Sequence, residues 1–380
     1  KHRVKTLGDY GDRQGQLTLS NARRTLEVVK ARHRDSLRLG ESEVSINTIG
    51  ELAELFFEHR LKKTRKRPEE ARRLIDKDIL PTLGILRLMP IPSTPVIGKA
   101  VIAVVDRGAT VHAGKVLDLI RQLFDFGVAN GYLIHNPASP LRGSDLGVEE
   151  YTPCNRRLKG DQIREFWLAL DGPHKMSTQT RCALRIILLT GVRSQEMLLA
   201  RWEHLDLETS DSSWIIPIEN QKLTLRQSRT ARDFVIPLAP KAVELFLALK
   251  DLAGNSPWVM ASEVTGGHYN DKVLGKAMRR LFAVRVRDQA TGELVPLLDF
   301  APISPHDLRR TMRSMMGETL RIAPHIAERC LNHSLGTLTM TYDTGEYLDE
   351  RREAMNRWAE YVEIQVNRSN NITFLAREAI

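Results

Sequence analysis

The sequence predicts a mainly α protein of several domains, with a small antiparallel β-sheet confined to the larger, C-terminal domain. Three observations lead there. Apolar residues recur at helical spacing over most of 45–145 and again through 155–366. Only two runs, 214–218 and 234–238, are dense enough in β-branched and aromatic residues to read as strands. The stretch 136–153, with Pro137, Pro140, Gly143, Gly147 and Pro153, interrupts the pattern between the two regions. At 380 residues and 42% hydrophobic content, the chain is long enough for two or three buried cores.

Residues 1–42 begin with an extended piece around 4–10 and a helix opened by Ser20 or Asn21 that runs to about 39, before Gly40. The chain starts at Lys1 in mid-pattern, so a piece of the natural N-terminus is expected to precede it. Ile49, Leu52, Leu55 and Phe56 share one helix face. Pro68 opens the next helix as its first residue, and Leu80-Pro81 is expected to stop it. Helices near 97–106 and 110–130 follow, the second ended by Gly131, a residue free to adopt positive φ. In the larger domain, helices near 159–170 and 178–190 precede the two strands. Helices return at 240–252, 271–287, 306–320, 324–331 and 347–366. The expected domains are therefore 1–42, 45–145 and 155–366, with a tail at 367–380.

Charge narrows the function. The net charge is +9, and residues 1–75 hold 18 Lys/Arg against 11 Asp/Glu, so most of the excess lies early. Arg60, Lys62, Lys63, Arg65, Lys66 and Arg67 put six cations in eight positions between two helices, followed by Arg72 and Arg73. Each cation that meets a phosphate releases a counterion, so this run suits gripping a nucleic-acid backbone without reading its sequence. Its other reading is a solvated loop. Cys154, Cys182 and Cys330 are too scattered for a disulfide framework, which points to a reduced, intracellular protein. The longest apolar stretches, 100–105 and 186–189, fall far short of the roughly 20 residues of a membrane span. There is no HExxH, no GxxxxGK[ST] and no convincing acidic trio, so no metal, ATP or other cofactor is called for. A zinc site at His325, Cys330 and His333 lacks a fourth ligand.

Three segments carry the chemistry. They are Thr190-Gly191-Val192-Arg193-Ser194-Gln195-Glu196-Met197-Leu198, then His306-Asp307-Leu308-Arg309-Arg310-Thr311, then Leu331-Asn332-His333 followed by Tyr342. Their order, the HxxR spacing and the nine-residue step from His333 to Tyr342 resemble the tyrosine recombinases, the phage-integrase family. The resemblance covers about 155–366. The segment from Tyr347 to Val362 resembles the C-terminal helix of genomic-island and prophage integrases. It implies a multidomain DNA clamp of tyrosine recombinase type, in which 45–145 is a helical core-binding domain and 1–42 the remnant of an arm-type DNA-binding domain. It further implies double-stranded DNA attachment sites as substrate, a homotetramer on DNA, and a cytoplasmic, nucleoid-associated place in a bacterium. Accessory DNA-bending or directionality proteins are further partners to test. The tail is expected either to dock on a neighbouring protomer or to be disordered.

The residues support that chemistry on their own terms. Transesterification at a phosphodiester passes through a phosphorane whose added negative charge needs fixed cations, and fork-shaped guanidinium donors suit it. Arg193 and Arg309 are the candidates, and His306 selects Arg309 over Arg310 because residues three apart share a helix face. A tyrosine nucleophile, only about 0.1% ionised at pH 7, needs a cationic pocket and a base. The resemblance makes His306 that proton acceptor or a positioning group, and makes His333 a donor to the scissile phosphate. It favours Tyr342 as nucleophile over Tyr347 and Tyr361, and places Lys222, in the hairpin between the strands, as proton donor to the leaving 5′-oxygen. Arg226, Arg229 and Arg232 in the same hairpin are expected to bind phosphate. Phe234 stands where many relatives carry a histidine, and no role is carried there. The expected activity is site-specific recombination that integrates or excises a mobile element through a 3′-phosphotyrosyl intermediate. The alternatives are type IB topoisomerase-like cleavage and religation, or a noncatalytic DNA-binding relative.

Overall fold

The computed structural model describes residues 18–20, 22, 23, 26, 27, 30, 46–152, 155–223, 225–228, 231–262, 264–288, 291–333 and 345–368. Tyr342, Arg229, the extended piece at 4–10, most of the helix expected to end near 39 and nearly all of the tail lie outside them. The chain divides into two units, Lys1–Pro153 and Cys154–Ile380, each with its own apolar core. Among the described residues the structure is helical apart from a three-stranded and a two-stranded antiparallel sheet.

In the first unit, α1 runs from Ile49–Phe56 through a wide π turn, Phe57–Leu61, to Lys62–Thr64. Thr48 caps it, accepting from the Glu51 N–H at 3.2 Å. α2 starts at Pro68 as expected and runs Pro68–Leu74, Ile75–Ile79 and Leu80–Leu83. Leu80-Pro81 therefore does not stop it. Ile75–Ile79 is a π turn in which the Leu80 N–H reaches back to Ile75 O, and a turn already widened tolerates the donor that Pro81 lacks. The basic run is likewise not all connection: Arg60, Lys62 and Lys63 belong to α1, and only Arg65, Lys66 and Arg67 link it to Pro68. α3 (Thr94–Asp106) and α4 (Thr110–Ala129) complete the unit. Gly131, at φ 70°, turns the chain after α4. Phe56 and Phe126 meet in the core with ring centroids 5.6 Å apart.

In the second unit, α5 (Gly160–Ala169) and α6 (Thr178–Thr190) precede the short α7 (Ser194–Leu198). The first sheet is β1 (Leu205–Asp206), β2 (Ser213–Ile216) and β3 (Phe234–Pro237), with Trp214 opposite Ile236. Then come α8 (Pro240–Ala253), α9 (Val273–Ala283), the hairpin of β4 (Arg285–Arg287) and β5 (Leu294–Pro296), α10 (Pro305–Glu318), α11 (Pro324–Cys330) and α12 (Leu348–Asn367). The helix expected over 271–287 stops at Ala283. The alternation Arg285-Val286-Arg287 buries Val286 and exposes both arginines, the period of a strand.

α6 lies deep in this core, with Ala183, Leu184, Ile186, Ile187 and Leu188 fully buried. Each of these leucine and isoleucine side chains contributes roughly 1.5–3 kcal/mol. Met355, Trp358 and Val362 of α12 are core residues. The Trp358 Nε1–H donates to Leu188 O at 2.9 Å, one of the last-turn carbonyls of α6 that the helix itself leaves unpaired. Trp358→Phe keeps an aromatic ring in the core but removes the N–H donor and part of the indole's volume, leaving that carbonyl without its partner. It is expected to cost about 1–3 kcal/mol, measured as a lower midpoint in urea unfolding.

Candidate active site

Two helix ends build the centre of the site. α6 stops because Gly191 takes up a left-handed conformation, φ 65°, with its N–H on Ile187 O at 2.9 Å. α11 stops at Leu331, and Asn332 follows at φ 52°. The carbonyls of Gly191 and Leu331 both accept from the Arg309 guanidinium, Nη1 to Gly191 O at 2.6 Å and Nη2 to Leu331 O. Arg309 is 3% exposed. Unpaired carbonyls at a helix C-terminus carry partial negative charge, so two such ends accommodate a buried cation. Burial, then repulsion from Arg193, pulls the Arg309 pKa down to about 10, which still leaves it charged at pH 7.

Arg193 follows Gly191 as the N-cap of α7. Its backbone N–H and its Nη1 each donate to the buried Glu196 carboxylate at 2.7 Å, so it is fixed in place rather than splayed on the surface. α10 is started by Ser304, whose N–H and hydroxyl both donate to Asp307 Oδ2 at 2.8 Å, with Pro305 in the first turn. That start puts His306 and Arg309 on one face, and both line a cleft of about 440 Å³ together with Arg310, Arg313, Leu331, His333 and 155–157. His306 opens onto the cleft. Loss of water around part of its ring, then the Arg310 and Arg309 charges, lower its pKa below the ordinary value, with Asp307 opposing them. His333 Nδ1 is hydrogen bonded to Glu328 Oε2.

The structure thus brings Arg309, His306 and His333 to one cleft, with Arg193 near enough to act on the charge of all three. Lys222 is exposed in the connection between β2 and β3 and is not among the cleft-lining residues. That connection holds two short helical turns, Ile218–Asn220 and Leu225–Ser228, and Arg226 lies in the second. Arg232 is exposed, 3.6 Å from Glu346. Tyr347 is the N-cap of α12, its ring against His325 and Arg329.

In the basic run, Lys62 pairs with Glu58 at 2.6 Å. Arg65 donates to Gln122 Oε1 at 3.0 Å. Arg72 binds Glu54 at 2.6 Å and Asp76 at 2.9 Å. Arg60, Lys63, Lys66 and Arg67 are exposed.

Several contributors escape a reading of spacing alone. Glu196, three residues after Arg193, carries a weak local signal as an acid in a first helical turn. Arg313 and Glu328 carry none, because their pairing joins α10 to α11. Nor do Gln221 and Asn332: buried Gln221 donates to Ile216 O and Arg232 O and accepts from Asn332 Nδ2 at 3.0 Å. That last bond ties the base of the Lys222 connection to the turn before His333.

The Phage integrase family profile matches residues 156–347, and the Phage integrase central domain profile matches 50–144. Prophage integrase IntZ of Escherichia coli K12 is 27% identical over 298 residues, 78% of this chain and 66% of that protein. The integrase of Enterobacteria phage P4 is 26% identical over 268 residues, 67% of this chain and 56% of its own length. The chain therefore spans less than two thirds of either relative. A solved lambda integrase tetramer bound to a Holliday junction shares the fold, with a TM-score of 0.57 at 16% identity, covering 87% of this chain and 90% of that one.

Proposed function

Since the chain belongs to the phage integrase family, we propose that it is a site-specific tyrosine recombinase, which cuts and rejoins duplex DNA to integrate or excise a mobile element. The observation that carries this reading is Arg309. Its guanidinium is sealed almost wholly from water and held by two main-chain carbonyls, yet it lines a cleft shared with two histidines. A cation kept there by dipoles is suited to an anion arriving from outside.

In the reaction, the Tyr342 phenol attacks the scissile phosphorus and its proton passes to His306. Arg193, Arg309 and His333 face the non-bridging oxygens of the phosphorane. Lys222 protonates the departing 5′-oxygen, leaving a 3′-phosphotyrosyl link and a free 5′-hydroxyl. The 5′-hydroxyl of a partner strand then attacks that link and restores the phenol. The phosphotyrosyl bond retains the energy of the phosphodiester, so neither ATP nor metal enters the scheme. Arg60, Lys62, Lys63, Arg65, Lys66 and Arg67, with Arg226 and Arg229, hold the DNA backbone. Four protomers act together, a reading supported by the lambda integrase tetramer on a Holliday junction.

A base with a lowered pKa is already neutral at pH 7. On the acid side the cleavage rate is therefore expected to fall as pH drops through a value below the ordinary histidine range, and His306→Asn to be slow at every pH without that acid limb. Single-turnover cleavage across pH measures it. The reading as a whole is tested with two supercoiled plasmids, each carrying an attachment site taken from the ends of the chain's own element, in EDTA. Exchange between plasmids supports recombination. Relaxation without exchange supports the topoisomerase-like alternative, and salt-sensitive binding with neither supports a noncatalytic relative.

A further inference from the structure

Glu328 has no part in the strand-cleavage scheme, yet its carboxylate holds His333. It sits in α11, five residues before the histidine. Oε1 accepts from Arg313 Nε at 2.8 Å and Oε2 is bonded to His333 Nδ1. The His333 backbone N–H donates to Glu328 O at 3.1 Å, closing a turn that keeps the ring against the carboxylate. Burial works to raise the Glu328 pKa, but the bonds from Arg313 and His333 outweigh it and hold the carboxyl below its usual range. An ionised carboxylate only accepts. His333 must therefore carry a proton on Nδ1, and Nε2 is the ring atom left for the cleft.

A neutral ring in that tautomer presents a bare Nε2, whose lone pair repels a phosphate oxygen. Building on the recombinase reading above, we propose that His333 binds the scissile phosphate as an imidazolium, taking up one proton from water as DNA docks. Glu328, fixed by Arg313, is the positioning residue that supplies the counter-charge. Nδ1–H then donates to Glu328, and Nε2–H to a non-bridging oxygen.

The groups around the ring set the two states. Arg309 and Arg313 face it from α10, Arg193 from the corner between α6 and α7, and Glu328 from α11. His306, Arg310, Arg156 and Arg157 share the cleft. Without DNA, desolvation together with Arg309 and Arg193 lowers the His333 pKa despite Glu328, so the ring is neutral at pH 7. A phosphate anion on the far side offsets those arginines and favours the charged ring.

The test is proton uptake as the full chain binds its attachment-site duplex, read by isothermal titration in two buffers of different ionisation enthalpy. Single-turnover cleavage of the nicked duplex is followed across pH alongside it. Wild type is expected to take up close to one proton and to lose cleavage on the alkaline side; His333→Asn is expected to take up none. Glu328→Gln keeps an acceptor for Nδ1–H but removes the charge. Its alkaline limb should move to lower pH by about one unit, a tenfold loss of rate in the alkaline range that shrinks as pH falls. An alkaline limb left in place, with an equal rate loss at every pH, would make Glu328 a structural prop and overturn the proposal. Zero uptake by wild type, or uptake unchanged in His333→Asn, overturns it as well, even where Glu328→Gln does not fold. A wild type that binds the duplex and never links to it overturns the recombinase reading instead, and the uptake measurement still decides this one.

Discussion

Replacing Arg309 by lysine is expected to lower the rate of strand cleavage by about 10²–10³-fold, the loss typical of removing one donor from a preorganised anion site. The guanidinium spends Nη1 on Gly191 O and Nη2 on Leu331 O, and its planar fork lets it meet those two carbonyls while still presenting N–H groups to the cleft. An ammonium is a point charge with one centre. It can bond a carbonyl or reach the phosphate, and cannot span the two helix ends at once. On the proposed division of labour, in which the exposed cations of the first unit hold the DNA backbone, duplex binding should change far less. Single-turnover cleavage and salt-titrated binding of the same variant separate the two effects. Equal losses in both would mean that Arg309 acts as one more backbone cation.

The second large effect is expected at Gly191. A Cβ there would stand 2.5 Å from Leu331 Cδ2 and 2.6 Å from Met312 Sδ, on a residue at φ 65°. The left-handed conformation costs about 1–2 kcal/mol for a residue with a Cβ, and overpacking typically adds about 1–3 kcal/mol. Gly191→Ala should therefore destabilise the second unit by about 2–5 kcal/mol in urea unfolding. It should also slow cleavage beyond what stability explains, since Gly191 O is one of the two acceptors that hold Arg309 and Arg193 is only two residues on. A variant as stable and as active as wild type would show that the corner yields freely and does not set the site.

Much of this was legible in the chain. Ser177 before Thr178–Thr190 and Gly191 after it mark both ends of α6, and Ser304, Pro305 and Asp307 mark the start of α10, so the shared face of His306 and Arg309 follows from local rules. What was not legible depends on chain segments meeting from afar. The partners of Arg309 are carbonyls, which have no side-chain signature, and they come from two helix ends 140 residues apart in sequence. The bond between Gln221 and Asn332, the pair of Arg313 and Glu328, and the placement of Trp358 on Leu188 O are of the same kind. Local signals also misled. Pro81 reads as a stop, yet a π turn absorbs it, and Arg285-Val286-Arg287 continues a helical pattern while pairing as a strand.

In the proposed reaction one tyrosine becomes joined to DNA in a cleft organised by Arg309. The most direct measurement incubates the chain with a nicked suicide duplex carrying its attachment site, then digests and sequences any DNA-linked peptide by mass spectrometry. Wild type is expected to give a covalent adduct, with a phosphodinucleotide on the peptide containing Tyr342, and Tyr342→Phe to give none. An adduct that persists in Tyr342→Phe, or one that maps to Tyr347 or Tyr361, would contradict the proposed reaction.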